Sequence, residues 1–339
     1  MKGNRLLRLC ALMLCLLAPL AVVAQTEPAP ADDDGIVEGA RIIPDSQTEV
    51  QAGAYVLRLT NVSPRDGSFE VDMWVWFRWK GSDVRPDQTF ELANGVITNR
   101  TESDVTVDED MNYSTARVQG IIYKEFDVRR FPLDNHVIEI AIEDADLEES
   151  NLIYVPDQGT ELDPSVTVAG WAVERLEPRV ESHPYATNYG FRSSKADVAI
   201  YSRFILPVSL ERTSIGPLFK SFWISLLSVM LGLLAFMVKS DDLDARFGMG
   251  VGSIFAASAN AFVISDTLPQ TTIVTLAEQI NLIAVGVIFT SVFISIWSLR
   301  LRYDGRDEDS VRLDRNSMIG LFALYIVLNV LVMTFDLSW

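Results

Sequence analysis

Two hydrophobic rhythms divide the 339-residue chain. Up to Arg212 the apolar positions come in short runs separated by turn residues. These runs are Ala54–Thr60, Phe69–Trp79, Arg117–Tyr123, Val137–Ile142, Gly170–Leu176 and Val198–Val208. Closely spaced runs rich in Val, Ile, Trp, Tyr and Phe predict an all-β, immunoglobulin-like sandwich over residues 41–212. Amphipathic helices do not alternate with them, which argues against a parallel α/β sheet.

After Arg212 the apolar runs become long and unbroken: Pro217–Val238, Phe247–Ser265, Leu276–Leu299 and Met318–Phe335. Each is long enough to cross a hydrocarbon core of about 30 Å. Residues 213–339 are therefore expected to form an all-α domain of four membrane helices. The second segment differs from the others because small residues fill it. Read at a period near 3.6, one face runs Asp244, Gly248, Gly252, Phe255, Ala259, Phe262, Asp266. Acids at the ends, two rings within and little bulk elsewhere suit the wall of a pore. The same glycines, as Gly248-x-x-x-Gly252, also suit a tightly packed inner helix.

Charge and targeting signals set the topology. Lys2, Arg5 and Arg8 precede an apolar core from Leu6 to Val23, and Val22-Val23-Ala24 offers a small-residue cleavage site. Residues 1–24 read as a secretory signal, and the acid- and Pro-rich residues 25–40 as a flexible leader. Cys10 and Cys15 both fall inside the signal, so the exported chain is expected to lack thiols and disulfides. Residues 25–212 carry 35 acids against 17 bases, which places nearly all of the acidity in the exported half. Such a field attracts cations and repels nucleic acid. The connection Lys239–Arg246 carries two bases and Arg300–Arg315 carries five, whereas Asp266–Thr275 has none. The positive-inside rule then puts the first and third connections in the cytoplasm and the β domain outside. The expected location is the plasma (inner) membrane, multi-pass, with a periplasmic or extracellular N-terminal domain.

Little in the chain points to catalysis. The exported part has two histidines, His136 and His183, and no HExxH, GxSxG or Gly-rich phosphate loop. An enzyme is not expected, nor a cofactor, nor a metal centre. Aromatic residues say more. Alternation sets Trp74 and Trp76 on one face of the strand Asp72–Trp79, with Met73, Val75, Phe77 and Trp79 on the other. The first face offers its tryptophans and Arg78 to a ligand. The turn-rich stretch His183–Phe191 adds Tyr185 and Tyr189. Aromatics on two separate segments of an acidic domain suit a cationic ligand.

The order of these parts resembles the pentameric ligand-gated ion channels, in particular their bacterial members. Phe126-Asp-Val-Arg-Arg-Phe-Pro-Leu-Asp134-Asn-His136 is similar to the family's signature loop, without its flanking cysteines. Trp74 with Trp79 and Asp83, Gly170-Trp171, Glu211-Arg212, Asp244-Ala-Arg246 and Leu268-Pro269 with Thr271 resemble further family landmarks in the family's order. The resemblance covers about residues 41–339. It implies a homopentamer in a lipid bilayer that conducts cations and is gated by a small molecule, a proton or a divalent ion.

The resemblance also assigns roles. Pore-lining positions are Asp244, Gly248, Gly252, Phe255, Ala259, Phe262 and Asp266. Ligand-facing positions are Trp74, Trp76, Arg78, Asp146, Tyr185 and Tyr189. Phe131, Pro132, Asp134, Arg212, Leu268 and Pro269 couple the two domains, with Asp134 expected to pair with Arg212. Two departures stand out. Phe255 replaces the usual aliphatic ring at mid-pore, and Glu143-Asp-Ala-Asp146-Leu147 places acids where many relatives have aromatics. A rival reading is a non-conducting sensor or assembly partner on the same scaffold. Another treats Glu143, Asp144 and Asp146 as oxygen ligands for a divalent ion.

Overall fold

The computed structural model describes residues 47–82, 84–102, 104–187, 198–213 and 216–336. The expected signal and leader, together with Asp83 and Tyr189, lie outside the described residues. The chain divides into two compact units, residues 43–219 with 264–275 and residues 220–263 with 276–339.

The first unit is built from strands β1 (Thr48–Ser63), β2 (Ser68–Trp79), β3 (Phe90–Leu92), β4 (Gly95–Glu102), β5 (Thr106–Asp108) and β6 (Met111–Tyr123). They are followed by β7 (His136–Asp144), β8 (Leu152–Pro156), β9 (Glu161–Leu162), β10 (Trp171–Arg175), β11 (Arg179–Tyr185) and β12 (Ala199–Arg212). Two sheets form a β-sandwich-like unit. One runs β4-β6-β2-β1-β8, with β5 on β6 and β9 on β1; the other runs β10-β12-β7-β3, with β11 on β12. Most neighbours are antiparallel, but β8 and β9 join β1 in parallel.

The alternation expected along β2 is present. Phe69, Val71, Met73, Val75, Phe77 and Trp79 are all buried, whereas Trp74 is 38% exposed. From the second sheet Ile138, Ile140, Ile142, Phe204, Leu206 and Val208 complete the core, all fully buried. Burying a side chain of this size contributes roughly 1.5–3 kcal/mol. The core therefore outweighs any single surface contact in holding the sandwich.

Four helices follow: α1 (Gly216–Leu234), α2 (Leu243–Asp266), α3 (Leu276–Tyr303) and α4 (Asp307–Asp336). Of these, α2, α3 and α4 are long and apolar enough to cross a membrane. The first expected span is reduced. It ends as an α-helix at Leu234, and a 3₁₀ turn, Ala235–Met237, carries the chain on. Among the described residues its apolar stretch, Phe222–Met237, falls short of the other three.

The helix ends have local causes. Asp242 caps α2 by accepting from the Ala245 N–H at 3.3 Å. Gly305, at φ 72°, closes α3: its own N–H donates to the Arg302 carbonyl and the Arg306 N–H to the Leu301 carbonyl, both at 3.0 Å. The chain then enters α4 at once, eleven residues before the expected apolar start at Met318. Asp307, Glu308 and Asp309 occupy its first turn, where carboxylates favour the positive end of the helix dipole. Hydropathy alone does not reveal so polar a helix start.

Inside the bundle, Val229, Leu233 and Phe236 meet Ala257 of α2, Ala284, Val287 and Ile288 of α3, and Leu321 and Tyr325 of α4. Helices α2 and α3 approach closely at Gly250, where an added Cβ would lie 2.7 Å from Val292 Cγ2. Valine is stiff at χ1 and gives way poorly. Gly250→Ala is expected to cost about 1–3 kcal/mol by overpacking. Adding Val292→Ala should recover part of that loss, as read from denaturation of the two variants in detergent. Additive losses in the double variant would mean the contact is not the cause.

Candidate functional site

Helix α2 has two distinct sides. Arg246, Gly250, Ser253, Ala257, Asn260 and Ile264, at steps of three and four, are all buried. On the other side Asp244, Gly248, Phe255, Ala259, Phe262 and Asp266 are exposed and Gly252 is half-buried. Phe255 and Phe262 are 76% and 75% exposed, high values for phenylalanine. A Cβ added at Gly248 or Gly252 would meet nothing within 4 Å. The glycines of the G-x-x-x-G motif therefore do not pack against another helix among the described residues. Their open neighbours include Val251, Ser258 and Val263.

The buried side is polar at two heights. The Arg246 guanidinium pairs with Asp314, donates to the Val238 carbonyl at 2.6 and 3.0 Å, and reaches Ser240 Oγ at 3.3 Å. Ser240, Ser298 and Ser310 bond one another beside it at 2.8–3.2 Å. Further along, Asn260 Nδ2 donates to Ser225 Oγ and Asn281 Oδ1, each at 3.0 Å. Ser225 also donates to Asn281 at 3.2 Å.

The outward face of the seven-stranded sheet carries the tryptophan group. In register, Trp74 lies opposite Tyr55 on one side and Arg117 on the other. Trp76 stacks over Gly53, where an added Cβ would be 2.4 Å from the indole. Arg78 pairs with Asp157 at 3.1 Å and lies 5.5 Å from the Tyr113 ring centroid. Arg117 donates twice to Asp72, at 3.0 and 2.9 Å. That bond chiefly holds the Asp72 carboxyl below the usual range, against a smaller upward push from burial.

A second group sits on the five-stranded sheet. The Tyr185 hydroxyl donates to Glu143 at 2.8 Å, and Arg203 bonds Glu143 at 2.6 Å and the Tyr185 oxygen at 3.0 Å. Tyr185 also makes edge contacts with His183 at 4.7 Å and Tyr201 at 5.7 Å. Burial, then Glu143, pushes the Tyr185 hydroxyl up to about 12. It is a neutral donor at any physiological pH. Asp146 is exposed; its backbone N–H bonds Asp144, which also accepts from the Leu147 N–H at 2.8 Å and from Thr89.

Sequence reasoning passed over Arg203, because its link to Glu143 depends on the β7–β12 register. Within one chain the tryptophan group and the Tyr185 group lie on different sheets and do not form one site. Glu143 and Asp144 are engaged by protein donors. Among the described residues no set of three or more His, Cys, Asp or Glu side chains is placed to hold a metal ion.

Of the expected coupling residues, Phe131, Asp134 and Arg212 come together in the first unit. Asp134 accepts from Arg212 at 3.2 Å and bonds His136 Nε2 at 2.7 Å. Arg212 lies 3.9 Å from the Trp171 ring centroid and 5.7 Å from that of Phe131, whose bond to Pro132 is cis. Arg129 turns instead to Asp127. Burial pushes the Asp134 carboxyl up, but the His136 hydrogen bond and the Arg212 charge outweigh it and hold it low. Leu268 is buried and Pro269 half-buried. One partnership was not foreseen: Arg65, in the β1–β2 turn, donates to the Asp266 carboxylate at 2.8 Å and to its carbonyl at 2.6 Å.

Glu91 offers a test of the acidic strand pair. It lies directly opposite Glu143, and partial burial, then Glu143, Asp144 and Asp146, raise its carboxyl above the ordinary 4.5. A raised acid disfavours the folded state once it ionises, and that penalty vanishes below the unfolded value. Glu91→Gln should therefore raise the melting temperature near neutral pH. The gain should fade as pH falls toward 4.5, and a gain that persists at pH 4 would exclude this cause. No family model matches the chain, and no curated protein matches it.

Proposed function

We propose that the chain is one subunit of a homopentameric, ligand-gated, cation-selective ion channel, with α2 lining the pore. The observation that carries this reading is the division of α2. Polar anchors fill its buried side, while a face with acids at both ends and two aromatic rings is left open among the described residues apart from the Arg65–Asp266 pair. Five such faces around one axis would account for the openness of Gly248, Gly252, Phe255 and Phe262 together. In this reading all four helices cross the bilayer, α1 being completed by its 3₁₀ turn. The base-bearing connections face the cytoplasm, and an immunoglobulin-like sandwich lies outside.

The two acid rings differ in strength. Arg65 shares the charge of Asp266, whereas Asp244 is exposed and has no ion-pair partner among the described residues. Asp244 is the main cation-selecting ring, and Phe255 the narrowest apolar girdle, which excludes ions by dewetting when the helices close. Ligand sits between adjacent subunits, where Trp74 and Arg78 of one meet Tyr185 and Tyr189 of the next. Separation of these groups on different sheets supports a site shared between copies. Asp134, Arg212 and the Arg65–Asp266 pair carry the signal toward α2.

In liposomes under asymmetric salt, Asp244→Asn should move the reversal potential toward zero, and more than Asp266→Asn does. Unchanged potentials would remove Asp244 from the selectivity role. An absence of flux from the wild-type chain across a screen of pH, calcium and small amines would favour the non-conducting sensor, with Phe255 and Phe262 packing the axis shut. Tyr185→Phe removes the donor to Glu143 and should shift agonist sensitivity about tenfold, the worth of one hydrogen bond to a charged acceptor. Its unitary conductance should stay at the wild-type value; a lowered conductance with unchanged sensitivity would count against this siting.

A further inference from the structure

Two buried polar groups of the sandwich are each one hydrogen bond short. Tyr154 of β8 is 1% exposed, and its hydroxyl has no hydrogen-bond partner among the described residues. Asp144, at the end of β7, is 2% exposed. Its carboxylate accepts from the Asp146 and Leu147 N–H groups at 3.0 and 2.8 Å and from the Thr89 hydroxyl. A carboxylate has about four acceptor sites, and these neutral donors fill three of them.

Register and ring contacts bring the two groups to the same part of the interior. The Tyr154 N–H donates to Ser202 Oγ of β12 at 2.9 Å. Ser202 lies two residues before Phe204, the partner of Ile142, and Asp144 lies two residues after Ile142. From the other side, the Tyr154 ring is 6.1 Å from that of Phe77, and Phe77 is 5.0 Å from Phe90. Phe90 is in turn the register partner of Asp144. Burial, then the Asp144 charge, holds the Tyr154 hydroxyl well above its ordinary range, so it remains a neutral donor.

We propose that one ordered water bridges the Tyr154 hydroxyl and the Asp144 carboxylate inside the sandwich. It accepts from Tyr154 and donates to Asp144, which matches the unused donor to the unused acceptor site. Two polar partners are the least that an interior water needs. A dry hydroxyl here would lose its hydration with nothing in return, which native interiors avoid. The water has a positioning role. Asp144 pins the turn that carries Asp146, and the bridge ties that turn to β8 of the opposite sheet. The inference is independent of conduction and of the ligand.

An experimental map of the full-length protein, fine enough to show ordered water, should carry density within hydrogen-bond distance of both Tyr154 Oη and Asp144. Tyr154→Phe should lose that density. In detergent the same variant should melt about 2–4 °C lower, the shift expected from one lost hydrogen bond in a unit of this size. Hydrogen exchange at the Asp146 and Leu147 amides should quicken about fivefold. Combined with Asp144→Asn, Tyr154→Phe should cost less than it does alone, because the two share one bridge. Absence of density between the groups, an unchanged or raised melting temperature in Tyr154→Phe, or additive losses would overturn the proposal. A melting temperature that falls when choline replaces sodium, and does so only with Tyr154 present, would also overturn it, by showing a cation at the site. Should Asp144→Asn fail to fold, the density and the melting of Tyr154→Phe carry the test.

Discussion

A guanidinium inside a helical bundle must be neutralised and fully hydrogen-bonded, and Arg246 imposes that requirement on everything around it. Its partners are three residues from two segments: Val238 and Ser240 after α1, and Asp314 in α4. Ser298 of α3 joins through Ser240. One side chain of α2 thus ties it to every other helix of the unit. Asn260 repeats the arrangement fourteen residues later, close to four turns, on the same side of α2. Two polar anchors at different heights fix the rotation of α2 about its own axis. The face carrying Gly248, Phe255 and Phe262 is then left open as a geometric consequence. Apolar packing alone would not select it, since Val251 and Phe255 could bury themselves as well as Ala257 does.

The sandwich uses charge in a related way. Asp72, Asp134 and Glu143 are buried, and each meets an arginine from another strand or strand end: Arg117, Arg212 and Arg203. Breaking the Asp134–Arg212 or Glu143–Arg203 pair leaves a buried charge uncompensated, at a cost of about 3–5 kcal/mol, whereas Arg117 is largely open to solvent and its pair with Asp72 is screened. These pairs fix the register of β2 on β6 and of β7 on β12. Glu91 and Asp146, beside the Glu143–Arg203 pair, have no arginine of their own among the described residues. The acidic excess of this half is therefore concentrated at its surface and around the β3–β7 pair.

How much could be read in advance follows from the range of the interactions. The faces of β2 depend on neighbours two residues apart, and both faces of α2 on neighbours three and four apart, so periodicity is enough for them. The pairing of Asp134 with Arg212 spans 78 residues and was reached through a family resemblance, with no rule of spacing behind it. Arg65 with Asp266 spans 201 residues and Arg203 with Glu143 spans 60, and nothing local marks either. The start of α4 was missed for another reason. Its first turns are stabilised by caps and dipole terms, to which a hydropathy window is blind. In α1 the composition was apolar enough throughout, but the α-helix gives way to a 3₁₀ turn at Ala235.

The two ends of α2 are held with unequal strength. At one end the Arg246–Asp314 pair is almost wholly buried, and separating it would strand both charges away from water. At the other end Arg65 and Asp266 are 54% and 62% exposed, where water and salt take over when the pair opens. An exposed pair of this kind is worth roughly 0–1 kcal/mol, several times less than the cost of breaking the buried one.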